Sequence, residues 1–167
     1  IGHRGGFSLL PVDCTLTGML FVRYGSKRIN NDVTFSSDGV PYIWHDPTVD
    51  SRTNGTGTFE ELTSTYIDAL TINVVQGTLY SAMRISKLDD YLMAMADTNV
   101  CVGLELKGTE TTAKVDAMVA LVQKYGMSDR VCLAFGMSML SYLRSIDPLI
   151  GLTYANGSTI SEADLEI

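Results

Sequence analysis

Cys101-Val102-Gly103-Leu104-Glu105-Leu106-Lys107 is the stretch that decides the fold class. Val102, Leu104 and Leu106 alternate with Gly103, Glu105 and Lys107, the period of two that marks a β-strand with unlike faces. The period then switches repeatedly. Val115, Met118, Val119 and Val122 share one face of a helix, Val131–Phe135 is a strand, residues 137–145 a helix and 149–153 a strand. Upstream, residues 15–24 carry Leu16, Met19, Leu20 and Arg23 at helical spacing, closed by Gly25 as a C-cap. Strands are expected at Arg28–Phe35 and at 40–45, and a helix at 87–97 opened by a capping box of Ser86 with Asp89. Strand and helix alternation of this kind requires parallel strands with helical crossovers, hence an α/β barrel or an open α/β sheet.

Composition narrows the function classes. The chain has 167 residues, 46% of them hydrophobic, which suits a single domain over 1–167 with its own core. A net charge of −7 argues against nucleic acid, whose phosphates are bound by clustered Lys and Arg. No apolar run reaches the roughly 18 residues a membrane-spanning helix needs. Cys14, Cys101 and Cys132 are far apart and inside apolar stretches, so they are expected to be buried thiols rather than a zinc site or a disulfide framework. The stretch 46–58, rich in Asp, Thr, Asn and Gly, reads as a long polar loop, either functional or a surface excursion.

The only two histidines, His3 and His45, each end an apolar strand-like stub and stand beside a charged neighbour, Arg4 and Asp46. Strand ends next to polar loops are where α/β active sites gather. Asp38-Gly39 between the strands at 28–35 and 40–45 is the signal for a two-residue type I′ hairpin. That register places Asp32 opposite His45, with Asn30 on the same side of the sheet. Glu105 and Lys107 project together from the C-terminal end of their strand, where acids can hold a hard cation and lysine can neutralise phosphate oxygens. A solvated polar face and a strand-end salt bridge are the plain alternatives.

In order along the chain, His3-Arg4-Gly5-Gly6, Asn30-Asn31-Asp32-Val33, Asp38-Gly39-Val40-Pro41, His45-Asp46-Pro47-Thr48-Val49-Asp50 with Arg52-Thr53-Asn54-Gly55-Thr56-Gly57, and Leu104-Glu105-Leu106-Lys107 resemble the signature of the glycerophosphodiester phosphodiesterase family. The resemblance covers essentially the whole chain. It implies a TIM-type (β/α) barrel that hydrolyses small glycerophosphodiesters to an alcohol and glycerol phosphate, with one divalent cation, Mg²⁺ or Ca²⁺. Carried across residue by residue, His3 and His45 become the acid–base pair, Arg4 and Lys107 hold phosphate, and Asp32 and Glu105 ligate the metal.

Three departures accompany the likeness. Asn30 stands where the family has a metal-binding Glu, so it is expected to be a weak amide ligand. Asp13-Cys14-Thr15 stands where the family has Glu-Asn-Thr. Finally, about six of the eight barrel strands can be placed, so an incomplete barrel cut at both ends is expected, with the missing strands supplied by a longer chain. The runner-up reading is a family member that binds phosphodiester or polyol phosphate without turning it over. An intact phospholipid, as in the related sphingomyelinase D and phosphoinositide phospholipase C barrels, is disfavoured by the lack of an apolar docking segment.

Overall fold

The computed structural model describes residues 2–3, 14–73 and 83–154, with the backbone alone for 2–3 and 154. Its sheet contains β1 (Gly2–His3), β2 (Arg28–Phe35), β3 (Pro41–Ile43), β4 (Cys101–Leu106), β5 (Val131–Phe135) and β6 (Gly151–Tyr154). The order β1-β2-β4-β5-β6 is parallel throughout, and β3 lies antiparallel on β2. Helices α1 (Thr15–Arg23), α3 (Leu88–Ala96), α4 (Thr112–Lys124) and α5 (Met137–Ile146) make the crossovers, while the short α2 (Ser64–Ala69) follows the hairpin. The expected α/β class holds, as an open arc of a (β/α) barrel.

Register gives the sheet two unlike faces. Ile29 lies beside Val102, Val33 beside Leu106 and Leu104 beside Leu133. All of these are buried in one core with Leu88, Tyr91 and Leu92 of α3, Val115, Met118 and Val122 of α4, and Leu140 and Leu143 of α5. Removing such side chains from water contributes about 25 cal/mol per Å² of apolar surface, which is what docks the helices on this outer face. The alternate residues make the inner face. Asn30, Gly103, Cys132 and Gly151 form one row across β2, β4, β5 and β6, and Asp32, Glu105, Ala134 and Thr153 form the next.

The hairpin differs from its expected geometry. Val33 pairs with Ile43, Thr34 with Tyr42 and Phe35 with Pro41. Ser36 N–H donates to Val40 O at 2.9 Å and Gly39 N–H to Ser36 O at 3.0 Å, so the loop is the three residues Ser37, Asp38 and Gly39. A type I′ turn would need positive φ at both central residues, whereas here the left-handed position falls on Gly39, at φ +84°. The consequence is a register moved by one residue. Trp44, not His45, comes opposite Asp32, its N–H donating to Asp32 O at 2.9 Å.

Two further expectations are corrected. Ser86 does not cap α3. The N-cap is Lys87, without a side-chain bond, and Ser86 Oγ instead accepts Thr15 N–H at 3.0 Å, tying the start of α1 to the start of α3. Of the three free cysteines, Cys14 is buried, but Cys101 is exposed and Cys132 half-buried, because both sit at inner-face positions of their strands.

The polar stretch after the hairpin is ordered around a second core. Tyr42, Trp44, Val49, Phe59, Ile67, Leu70, Ile72 and Ile85 pack together, with the Trp44 and Phe59 rings stacked at 5.5 Å. Bridges Thr48–Thr58 and Thr53–Ile72 close the loop, and Thr53 Oγ1 donates to Val49 O at 2.8 Å. Asp38 fastens the hairpin tip to α2 by accepting from Ser64 N–H at 2.7 Å and Ser64 Oγ at 2.6 Å.

Candidate active site

The strand β2 has two hydrogen-bonding edges. β4 takes one of them from Arg28 to Val33, so β1 and β3 share the other. β1 runs up that edge and ends with His3 in register with Asn30. β3 runs down it and leads into Trp44 opposite Asp32, with His45 next. The two histidine-bearing chain segments therefore converge from opposite directions on the middle of β2, and the antiparallel hairpin is what reverses the second one.

The inner face at this level encloses a cavity of about 180 Å³ lined by Arg28, Asn30, Asp32, Gly103, Glu105, Cys132, Ala134 and Thr153 among others. Its concavity comes from small residues. A Cβ at Gly103 would run into Asn30 Oδ1, so the bare glycine is what lets the amide lie across β4. Asp32 and Glu105 are direct cross-strand partners and project to the same side. Asp32 is nearly buried at 7% side-chain exposure, while Glu105 reaches solvent.

Lys107 continues the β4 register, its N–H donating to Val33 O at 2.8 Å. Its ammonium lies against both acids, 3.2 Å from Asp32 Oδ1 and hydrogen-bonded to Glu105 Oε1. Burial pulls the lysine pKa down, but the Glu105 hydrogen bond and the Asp32 charge outweigh it and the net shift is upward. Lys107 is thus an ammonium at neutral pH. The turn beyond it is pinned by Glu60, which accepts from Lys114 Nζ at 2.6 Å and Thr109 N–H at 3.4 Å. Gly108, at φ +76°, supplies both the left-handed turn and the space for that carboxylate.

His45 takes part in a further network. Its Nδ1 is 2.7 Å from Asp46 Oδ1, and Asp46 Oδ2 is 2.8 Å from Arg52 Nε. The Arg52 guanidinium carbon lies 5.9 Å from the centroid of the Trp44 ring, and Trp44 Nε1–H donates to Asp46 O at 2.8 Å.

The structure thus brings Asn30, Asp32, Glu105 and Lys107 together, as the alternation in β2 and β4 implied. His45 is one residue past the partner of Asp32 and does not line the cavity. Arg4 and Asp13 lie outside the described residues. Arg28 and Thr153 are not singled out by the sequence, and Cys132 is read there only as a core thiol, although strand alternation places all three on the inner face. Cys132 Sγ and Thr153 Oγ1 are 2.7 Å apart, and Arg28 Nε donates to Asn30 Oδ1 at 3.4 Å.

The oxygen donors fit a hard cation. Two carboxylates and one amide on adjacent strands are the ligand types Mg²⁺ and Ca²⁺ take, and Asn30 Oδ1 already faces a cationic donor in Arg28. Among the described residues no group of three or more His, Cys, Asp and Glu is placed to hold a metal ion, and the third oxygen donor here is an amide. Nor, among them, is any helix long and apolar enough to cross a membrane.

Comparison with known proteins agrees in fold and sequence. Residues 3–150 match the model of the glycerophosphoryl diester phosphodiesterase family. A glycerophosphodiester phosphodiesterase of Caldanaerobacter subterraneus subsp. tengcongensis is 26% identical over 162 residues, covering 94% of this chain and 67% of the relative. Human glycerophosphodiester phosphodiesterase 1 is 38% identical over 63 residues, 38% of this chain and 19% of the relative. Among solved structures, a glycerophosphodiester phosphodiesterase from Agrobacterium tumefaciens str. C58 superposes with a TM-score of 0.77 at 30% identity, over 90% of this chain and 64% of that one. An Oleispira antarctica phosphodiesterase, in complex with the product sn-glycerol-3-phosphate, gives a TM-score of 0.84 at 25% identity, over 99% of this chain and 68% of that one. The chain spans about two thirds of these bacterial proteins, and the 63-residue match about a fifth of the human one.

Proposed function

The chain belongs to the glycerophosphoryl diester phosphodiesterase family, and from that premise we propose that it takes part in the hydrolysis of small glycerophosphodiesters to an alcohol and glycerol phosphate. The observation that carries the reading is the convergence of the His3 and His45 segments on the β2 positions beside Asn30 and Asp32, with Glu105 and Lys107 on the neighbouring strand.

In this reading one imidazole takes the proton from the attacking hydroxyl and the other gives a proton to the oxygen of the departing alcohol. One phosphorus–oxygen bond forms as the other breaks. Lys107 and Arg4 hold the phosphoryl oxygens, and Lys107 leaves its carboxylate partners to do so. Asn30, Asp32 and Glu105 would hold the divalent cation, which when bound offsets charge developing on the phosphoryl oxygens. The resemblance makes the attacking hydroxyl the substrate's own glycerol hydroxyl, with water completing the hydrolysis.

The test is release of choline from glycerophosphocholine with Mg²⁺ or Ca²⁺. The expected result is turnover that EDTA abolishes and that His45→Gln lowers by about 10²- to 10⁴-fold. Unchanged turnover in EDTA rejects the metal-dependent mechanism, and absence of turnover rejects hydrolysis.

A second reading, binding of phosphodiester or polyol phosphate without turnover, is favoured by one feature: Lys107 neutralises two acids beside an amide that stands in place of a third. Asn30→Glu separates the two. Activity arising only in that variant supports a binder, whereas activity in the native chain supports the enzyme.

A further inference from the structure

We infer that Asp46 and Arg52 are positioning residues that fix the proton of His45 on Nδ1 and so make Nε2 the atom through which this imidazole exchanges protons. The inference rests on the acid–base role proposed above for His45.

A carboxylate can only accept hydrogen bonds, so the 2.7 Å contact from His45 Nδ1 to Asp46 Oδ1 places the hydrogen on Nδ1. In a neutral imidazole the basic lone pair is then on Nε2. Asp46 cannot turn away freely, because its other oxygen is held 2.8 Å from Arg52 Nε. Its backbone is held as well, by Trp44 Nε1–H at 2.8 Å.

Arg52 is anchored to the second core. Its carbonyl accepts Asn73 N–H at 2.7 Å, its neighbour Thr53 bridges to Ile72, and its guanidinium borders the Trp44 ring. Trp44 in turn stacks on Phe59. The segment 46–72 thereby acts as a brace whose output is the orientation of one ring. Arg52 and Asp46 are mostly buried, at 20% and 24% side-chain exposure, so their pair is shielded from much of the solvent screening that weakens surface pairs.

The test reads the tautomer directly. In the whole chain with ¹⁵N-labelled histidine, long-range ¹H–¹⁵N correlations distinguish Nδ1–H from Nε2–H, and His45→Gln identifies which signals belong to residue 45. The native chain should show Nδ1–H at His45. Asp46→Ala should convert it to mainly Nε2–H, and Arg52→Met, which keeps an aliphatic stem against Trp44, should give an averaged pattern that Arg52→Lys partly restores. Amide spectra check that each variant remains folded. In the glycerophosphocholine assay Arg52→Met should lower kcat by roughly tenfold with KM within about twofold, the low end of the cost of losing an outer partner of a functional imidazole. Nε2–H in the native chain, or an unchanged tautomer in folded Asp46→Ala or Arg52→Met, overturns the inference. A native chain that shows Nδ1–H yet hydrolyses nothing would overturn the proposed reaction and leave the positioning intact.

Discussion

Leu104 and Glu105 are neighbours in β4, yet they belong to different problems. Leu104 points outward into the helix-packed core and is almost inaccessible, whereas Glu105 points inward beside Asp32 and Lys107. The outer face is buried under the helices, while the inner face is opened by Gly103, Ala134 and Gly151 and carries Asp32 and Glu105. One face therefore holds the chain together and the other is left for chemistry, at a distance of one peptide bond.

The largest effect should come from breaking the outer face. Leu104→Ala should lower unfolding free energy by about 2–5 kcal/mol in urea titration while turnover per folded molecule stays near native. A comparable loss of specific activity would mean that the two faces are not independent. Glu105→Gln sharpens the same comparison from the other side. Its midpoint in urea should move little, with stability within about 1 kcal/mol of native, because Glu105 is part-exposed. Turnover should fall by about 10²- to 10³-fold if Glu105 holds the cation that offsets the charge developing on the phosphoryl oxygens.

Gly103→Ala asks whether the absence of a side chain is itself functional. The added Cβ collides with Asn30 Oδ1 and must turn the amide aside. Calorimetry should show Ca²⁺ or Mg²⁺ binding weakened by about tenfold, with little change in stability. Unaltered binding would remove Asn30 from the ligand set.

The smallest effect concerns the hairpin tip. Hydrogen bonds from Ser64, first its hydroxyl and then with Ser36 and the Ser64 N–H, hold the Asp38 carboxyl down at about 2. A depressed folded value means the carboxylate stabilises the fold above its unfolded value of 3.8, and that contribution disappears as pH falls through about 2. Melting temperature should therefore drop more steeply between pH 4 and pH 2 in the native chain than in Asp38→Asn. Parallel curves would show that the clamp to α2 contributes nothing.

Much of this was legible in the chain itself. The face of α4 made by Val115, Met118, Val119 and Val122 is the buried face, and Arg28–Phe35 and Val131–Phe135 are strands with the bounds expected. These follow from local periodicity, which a helix or strand must satisfy wherever it packs. The hairpin register was not legible, because Asp38-Gly39 is compatible with two turn geometries and the choice moves the partner of Asp32 from His45 to Trp44. Ser86 misled for a related reason. A serine before a helix can satisfy that helix or a neighbouring one, and here it serves α1.

The candidate site divides in the same way. Asn30, Asp32, Glu105 and Lys107 were assigned to one side because alternation along a strand is a property of the backbone. That Lys107 closes on both acids, that Arg52 reaches Asp46, and that Gly103 makes room for Asn30 are meetings between segments far apart in sequence. Sequence alone determined which residues share a face and which family the motifs resemble, since both are set by short-range order. Only the tertiary structure decided which of those residues touch, because contact depends on register and on how distant segments pack, and neither is encoded in any one segment.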